Sequence, residues 1–548
     1  MKHFKKMMAL VIAMVMVVGT MSMAGAANGN LIPDSSVTIS GLEDQDVVNL
    51  YQVFKWDDVN GWSLTDDFED LDTTNLANIQ AIIDNDTTNT PIQLTKAELE
   101  ALATYAKENN LSPTSGVASG ADFTKSGLEP GMYLALVEPK TAGVIYNPLV
   151  VSVDYKDNES NEIDASSAKM GSDSAVAKKD TVTVEKVAND YTHNTNDYVQ
   201  FTVTTTIPVY ADSYVNPKFN VTDTLSTTGL KGVVNTDDHK FEVEAGSVKY
   251  TGTPSDGFTS FTLTFDTEDI AALTTPQSVT IKYWAQITSD APFTVNEETN
   301  DVTVEYSNNP KNDQDYDTLY DETKHWTFDI DGSLFGDSSY TTGEVVKIGV
   351  DENGHILESM VELDNGSEHG ALADAVFGLY PEGTTEFTDA NLYKNKQYQS
   401  GCKVTTTADG LMEIKGLDEG TYILKEISAP AGYIKDQNEH TIVIDATYSE
   451  KEYSKVINGK TVYYKVKTLD SYTVTIDGKK TSTYTMTLSG PAISSVTPGD
   501  SSSEIQNTKG VELPSTGGMG TTLFYAIGAI LVLGAGILLV SKRRMSAN

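Results

Sequence analysis

The sequence predicts a mainly β chain, a series of immunoglobulin-like β-sandwich domains between a signal peptide and one membrane-length helix. Three observations carry this. Segments of alternating Thr, Val and Tyr recur along the chain, among them YVQFTVTTTI, FTLTFDT, VTIKYWAQI, VTVEYSN, YTVTIDG and YTMTLSG, the pattern of half-buried antiparallel strands. Helical spacing is scarce. The 548 residues give room for about three or four domains, and polar stretches at 157–175 and 308–324 break the chain into parts of domain size.

In chain order, Lys2, Lys5 and Lys6 precede an apolar run from Met7 to Val18 and the small residues Ala24-Gly25-Ala26, the layout of a secretory signal peptide over 1–26. A first domain is expected over 27–156, with a helix near 95–109, where Leu99, Leu102 and Tyr105 fall at helical spacing. A linker follows over 157–178, a second domain over 179–324 and a third over 325–510, with SVTPGDSSS as a loop inside the third. Residues 511–548 hold Leu513-Pro514-Ser515-Thr516-Gly517, an uncharged run from Leu523 to Val540, and the cations Lys542, Arg543 and Arg544. That run is near the lower limit for a membrane span, and the basic cluster belongs on the cytoplasmic side. No short-period repeat points to a solenoid.

A net charge of −40 excludes nucleic acid as a partner, because the phosphate backbone would repel the chain. An exported chain with Cys402 as its single cysteine cannot form an intramolecular disulfide, so other cross-links or ordinary cores must hold it. Seven histidines without a metal-type pair give no metal or cofactor site. Asp313-Gln314-Asp315-Tyr316-Asp317 begins like a calcium loop but has Thr318 at the glycine place and Lys324 at the glutamate place, so it reads as solvated acid. Ser166-Ser167-Ala168-Lys169 fits Ser-x-x-Lys without the companion motifs of that hydrolase class.

Strand parity marks a different set. In TVTVEKV, Val182, Val184 and Lys186 point to one face; in FNVTDTL, Phe219, Val221, Asp223 and Leu225 do; in DVTVEYSNN, Val302, Val304, Tyr306 and Asn308 do. A Lys, an Asp and an Asn each share an apolar face, which is costly if they are merely buried. Spacing alone favours the other reading, three edge positions that reach water.

Leu513-Pro514-Ser515-Thr516-Gly517, the apolar span and the basic tail resemble the sorting signal of Gram-positive surface proteins. In that family sortase cleaves between Thr and Gly and passes the Thr carbonyl to an amine. The strands around Lys186, Asp223 and Asn308 resemble the isopeptide-forming middle domain of shaft pilins, and LADAVFGLY (372–380) with YILKEISAPAGY (422–433) resembles the opening strand and E-box of CnaB-type domains. The resemblance implies tandem Cna-type sandwiches. It also implies two Lys–Asn isopeptide bonds: Lys186–Asn308 assisted by Asp223, and Lys347–Asn507 assisted by Glu426. Asn309 is the fallback partner of Lys186. Lys347 is the less secure of the lysines, because Val346, Ile348 and Val350 make the opposite face the more apolar one. The first domain resembles the first domain of shaft pilins, shows no Lys–Asn–acid set, and carries Glu138 as a surface carboxylate.

The chemistry follows from burial. An apolar pocket disfavours charge, lowering the pKa of a lysine and raising that of an acid. A neutral amine then attacks the carboxamide while the protonated acid hydrogen-bonds its oxygen and shuttles protons. Ammonia leaves. Each site reacts once, so the chain modifies itself and is not an enzyme in the turnover sense.

Sortase needs an amine to receive the Thr516 carbonyl, and in shaft pilins it comes from a lysine just ahead of the middle domain. Ala177-Lys178-Lys179-Asp180 stands at that place without the family's Tyr-Pro, so Lys179 is inferred from position and Lys178 is the alternative. The function this implies is a shaft subunit of a covalent fimbria, secreted and anchored to the cell wall. Its implied partners are sortase, identical subunits joined head to tail, minor pilins, peptidoglycan and a host surface ligand. The competing reading is a minor pilin or wall-anchored adhesin.

Overall fold

The computed structural model describes residues 32–545, except 34–35, 58–60, 85–93, 157–173, 235–237, 292–296, 310–315, 332–344, 358–359, 363–367, 498–502, 511–518 and the single positions 130, 154, 212, 215, 227, 371, 396 and 409. The expected signal peptide, Asp313, Asp315, the Ser166–Lys169 motif and Leu513, Pro514, Ser515, Thr516 and Gly517 lie outside the described residues.

In the first unit the strand Val47–Asp57 pairs with Gly131–Glu138, and these are flanked by Gly61–Leu64 and Leu149–Val153. The expected helix is found at Lys96–Glu108. Thr95 starts it: its Oγ1 accepts from Glu98 N at 3.3 Å, while Glu98 Oε2 accepts from Thr95 N at 2.8 Å, closing a capping box. Leu102, Ala103 and Ala106 bury its inner face in the same cluster as Phe54 and Met132. A second cluster, with Val37, Ile39 and Phe123, lies under a sheet of Ser36–Ser40, Asp122–Ser126 and Ser174–Val176. That last strand, and Lys179–Thr181 paired with Val144–Tyr146, correct the domain limits drawn from the sequence. Residues 174–181 complete the first unit's sheets, where the sequence reading had a linker and the start of the next domain. The error is one of polarity: short edge strands need few apolar residues.

Two five-stranded sheets face each other in the middle unit. One runs Val184–Ala188, Tyr198–Ile207, Gln277–Ile287, Leu230–Val233, with Glu242–Glu244 also on the third strand. The other runs Tyr250–Thr251, Ser260–Phe265, Phe219–Leu225, Glu298–Ser307, Tyr316–His325. Phe201, Val203, Val221, Ile281, Tyr283, Val302 and Val304 fill the space between them. The stretch read as solvated acid, residues 313–317, runs into the strand Tyr316–His325, in which Asp317, Asp321, Glu322 and Lys324 are all buried. Inside the protein the Lys324 ammonium meets Glu297 at 2.6 Å, and Asp321 Oδ2 accepts from the backbone N of Lys186 at 2.6 Å.

The third unit is a seven-stranded sheet in the order Lys403–Thr405, Val376–Pro381, Gly420–Ser428, Glu439–Ile457, Lys460–Ile476, Lys479–Ser489, Ala492–Thr497. Val345–Val350 and Ser503–Thr508 form a separate parallel pair, so an early strand of this unit and its last strand lie side by side. The helix Met519–Met545 follows, and its 19-residue segment Tyr525–Arg543, ending in the cations Lys542 and Arg543, is long and apolar enough on average to cross a membrane.

Candidate cross-linking sites

Lys186 lies on the edge strand Val184–Ala188, opposite Val203, and its side chain is fully enclosed between the two sheets of the middle unit. Phe201 and Tyr283 present their rings 5.5 and 5.7 Å from its Nζ. Asp223, equally enclosed, meets the amine at 2.5 Å through Oδ2. Asp223 Oδ1 accepts from the Tyr283 hydroxyl at 2.7 Å. The third partner is Asn300: its Oδ1 lies 2.5 Å from Lys186 Nζ, and its Nδ2 donates to Tyr283 at 2.7 Å.

The register explains why Asn300, and not Asn308 of the sequence expectation, stands beside Lys186. Glu298–Ser307 runs antiparallel to Phe219–Leu225, with Leu225 opposite Asn300, Asp223 opposite Val302 and Phe219 opposite Tyr306. Asn300 is therefore one same-face step from the level of Asp223. Asn308 has the same parity but sits beyond the other end of the strand, about 20 Å along it. There its Nδ2 donates to Asp317 Oδ2. Asn309 lies still farther along. Tyr283 was also missed, although it shares the parity of Ile281 in VTIKYWAQI.

Burial holds the Lys186 amine below the ordinary lysine range and raises the Asp223 carboxyl, each against the opposing pull of the other's charge. Both shifts favour the neutral amine and the protonated acid, the pair that aminolysis of a carboxamide requires.

In the third unit Lys347 lies opposite Ile505 and Gly349 opposite Asn507, so parallel pairing sets Lys347 and Asn507 one same-face step apart. The expectation that Lys347 is the weaker lysine rested on Val346, Ile348 and Val350. These residues fill a small cluster of their own, and the Lys347 side chain is fully enclosed on the opposite side. Glu426, on Gly420–Ser428, stands between the partners: Lys347 Nζ is 3.4 Å from Oε1, and Asn507 Nδ2 donates to Oε1 and Oε2 at 3.0 and 3.1 Å. The backbone N of Asp436 fixes the carboxylate through Oε2 at 2.5 Å. Phe377 lies 5.1 Å from the amine, and burial lowers the Lys347 pKa.

The first unit has a buried acid with other partners. Asp46 accepts from Tyr146 Oη at 2.6 Å, Glu43 N at 2.8 Å and Lys140 N at 2.9 Å. Glu138, expected on the surface, is half-buried and takes Asn49 Nδ2 at 2.9 Å. Lys179, on its short strand, is 36 % exposed and pairs with Glu43 at 2.9 Å; Lys178 is half-buried.

Residues 361–460 match the prealbumin-like fold domain of the SpaA family, and residues 505–546 match the LPXTG cell wall anchor motif. The chain is a sortase-anchored surface protein with the backbone-pilin fold. Over 465 residues it is 26 % identical to the trypsin-resistant surface T6 protein of Streptococcus pyogenes serotype M6, covering 75 % of this chain and 79 % of that relative. The solved T6 backbone pilin of serotype M6 Streptococcus pyogenes superposes with a TM-score of 0.51 at 17 % identity, over 88 % of this chain and 99 % of that one. The full-length major pilin SpaD of Corynebacterium diphtheriae gives a TM-score of 0.43 at 16 % identity, over 87 % and 97 %. As a sortase substrate the pilin is held in the membrane by its apolar helix until cleavage, and is then fixed to the cell surface through its LPXTG motif.

Proposed function

We propose that this chain is the shaft subunit of a covalent pilus, joined head to tail through Thr516 and Lys179 and locked internally by amides at Lys186–Asn300 and Lys347–Asn507. One observation carries the polymer: an exposed lysine on the last strand of the first unit belongs to a chain that also bears an LPXTG anchor. Donor and acceptor stand at different places on one chain, so joining does not close on itself and gives a filament. The two buried Lys–acid–Asn sets supply the cross-links that one cysteine cannot. By the disulfide analogy, closing a loop of about a hundred residues removes unfolded-chain entropy worth roughly 5 kcal/mol. Unlike a disulfide, an amide is insensitive to reductants. Peptidoglycan receives the last subunit; minor pilins and a host surface ligand complete the expected partners. Cell-wall extracts resolved by denaturing electrophoresis and probed for this protein test the reading. A ladder is expected, and a single band would leave a wall-anchored monomer, the adhesin reading.

A further inference from the structure

We propose a third cross-linking site, at which Lys460 of the third unit forms an amide with Asn308 of the middle unit beside Asp317. It rests on the reading that buried Lys–acid–Asn sets in this chain form amides, and it adds a bond between units where the others lie within one.

The hairpin of Glu439–Ile457 and Lys460–Ile476 reaches out of its own sheet onto the neighbouring unit. Asn458 and Gly459 make its turn with φ of 51° and 79°, the left-handed pair that a type I′ hairpin requires. Past the turn, Val462, Tyr464 and Val466 are buried in the middle unit's core cluster. Tyr464 stands edge-on to Tyr320 at 4.9 Å, Lys455 covers the Tyr320 ring at 4.0 Å, and Asn458 Nδ2 reaches Thr318 Oγ1 at 3.4 Å. The turn is thereby docked on Tyr316–His325, with Lys460 as its first residue beyond.

Lys460 Nζ meets Asp317 Oδ2 at 2.7 Å. The same oxygen accepts from Asn308 Nδ2. Two groups hydrogen-bonded to one oxygen lie within about 6 Å of each other, so amine and carboxamide are neighbours across the acid. Asn308 is 1 % exposed, and its Oδ1 accepts no hydrogen bond among the described residues. Tyr306 donates to Asp317 at 3.5 Å, as Tyr283 does to Asp223 at 2.7 Å. Asp317 and Lys460 have side-chain exposures of 3 % and 22 %, so the amine sits at the rim of the site and the other two groups inside it.

Asp317 takes a proton from the Lys460 ammonium, and the neutral amine attacks Asn308 Cγ. The Cγ–Nζ bond forms, the Cγ–Nδ2 bond breaks, and the acid passes a proton from Nζ to the departing nitrogen. Overall an ammonium and a carboxamide become a secondary amide and an ammonium ion; nothing is oxidised, and Asp317 ends as it began.

Tryptic peptides of the full protein released from the cell wall test this by mass spectrometry. Trypsin does not cut after an acylated lysine, and Asn300 and Asn308 share the tryptic peptide 283–311, so the peptide with Lys460 should appear joined to that peptide together with the one carrying Lys186, short of the summed mass of the three by two ammonias. Lys460→Arg keeps the ion pair with Asp317 and the docked turn but removes the nucleophile. Its intact mass should lie closer to its own sequence mass by one ammonia than the wild type does. Cleavage after Lys460 with the Lys186–Asn300 and Lys347–Asn507 peptides still joined means an ion pair only and overturns the third bond alone. All three pairs found free overturn it together with the reading it rests on.

Discussion

Lys186 and Asn300 are 114 positions apart in the chain and 2.5 Å apart in space, Nζ to Oδ1. The amide of the middle unit is therefore expected between these two. Asn300→Ala should raise the intact mass, relative to its own sequence, by one ammonia, and the peptide with Lys186 should appear unlinked. Asn308→Ala should leave the Lys186 cross-link in place. A linked Lys186 in Asn300→Ala would refute the assignment.

How much of this was legible in the sequence depends on the kind of signal. Alternation revealed the Tyr198–Ile207 strand residue for residue, and the helix Lys96–Glu108 was visible because Leu99, Leu102 and Tyr105 fall at helical spacing. Lys186, Asp223, Glu426, Lys347 and Asn507 stood out through parity or resemblance. Asn300 did not, because parity identifies a face and not a height along it: Asn300 and Asn308 are equivalent until antiparallel register fixes which end meets Asp223. The buried Asp317 was misread for a related reason. Composition calls an acidic stretch solvated, and only tertiary packing reveals the hairpin that covers it.

Glu426 touches Asn507 through both oxygens and stands within ion-pair reach of Lys347, at 3.4 Å. Glu426→Gln keeps the shape and removes the proton carrier, so the third unit should retain its ammonia. Without the cross-link the unit should lose up to roughly 5 kcal/mol of stability, on the order of 10 °C in melting temperature. Calorimetry alongside intact mass checks this, and a melting temperature unchanged in a variant shown to lack the bond would remove its stabilising role.

At the seam between the second and third units, His193 Nε2 and His325 Nδ1 are 3.0 Å apart, and His193 N donates to Trp326 O at 3.0 Å. Burial lowers the His193 pKa to about 4 and places that of His325 well below the ordinary histidine value. A histidine depressed on folding contributes stability that is intact above about pH 6.5 and is lost as pH falls toward 4, because the unfolded chain takes up the proton first. Asp321, raised by burial to about 7, acts in the opposite direction over much of this window, so the comparison must be with a variant. Between pH 7.5 and 5 the wild type should lose about 2 kcal/mol more than His193→Gln. Denaturant midpoints at the two pH values measure it, and equal losses would show that the pair does not titrate.

Polymerisation makes the most direct demand on Lys179. Its amine is exposed and, among the described residues, held by the ion pair with Glu43, worth at most about 1 kcal/mol at a surface, so an acyl-enzyme can draw it away at little cost. Lys178 is half-buried beside it, with its backbone carbonyl engaged by Asn147 N at 3.0 Å. Lys179→Ala should therefore abolish the ladder of wall extracts while leaving the internal amides and the melting temperature of the monomer unchanged. Glu43→Gln frees the amine and should leave the ladder intact. If ladders survive in Lys179→Ala and vanish in Lys178→Ala, the acceptor is the neighbouring residue. If they survive when both are replaced, the amine lies elsewhere on the chain, and the short strand Lys179–Thr181 serves only to close the first unit.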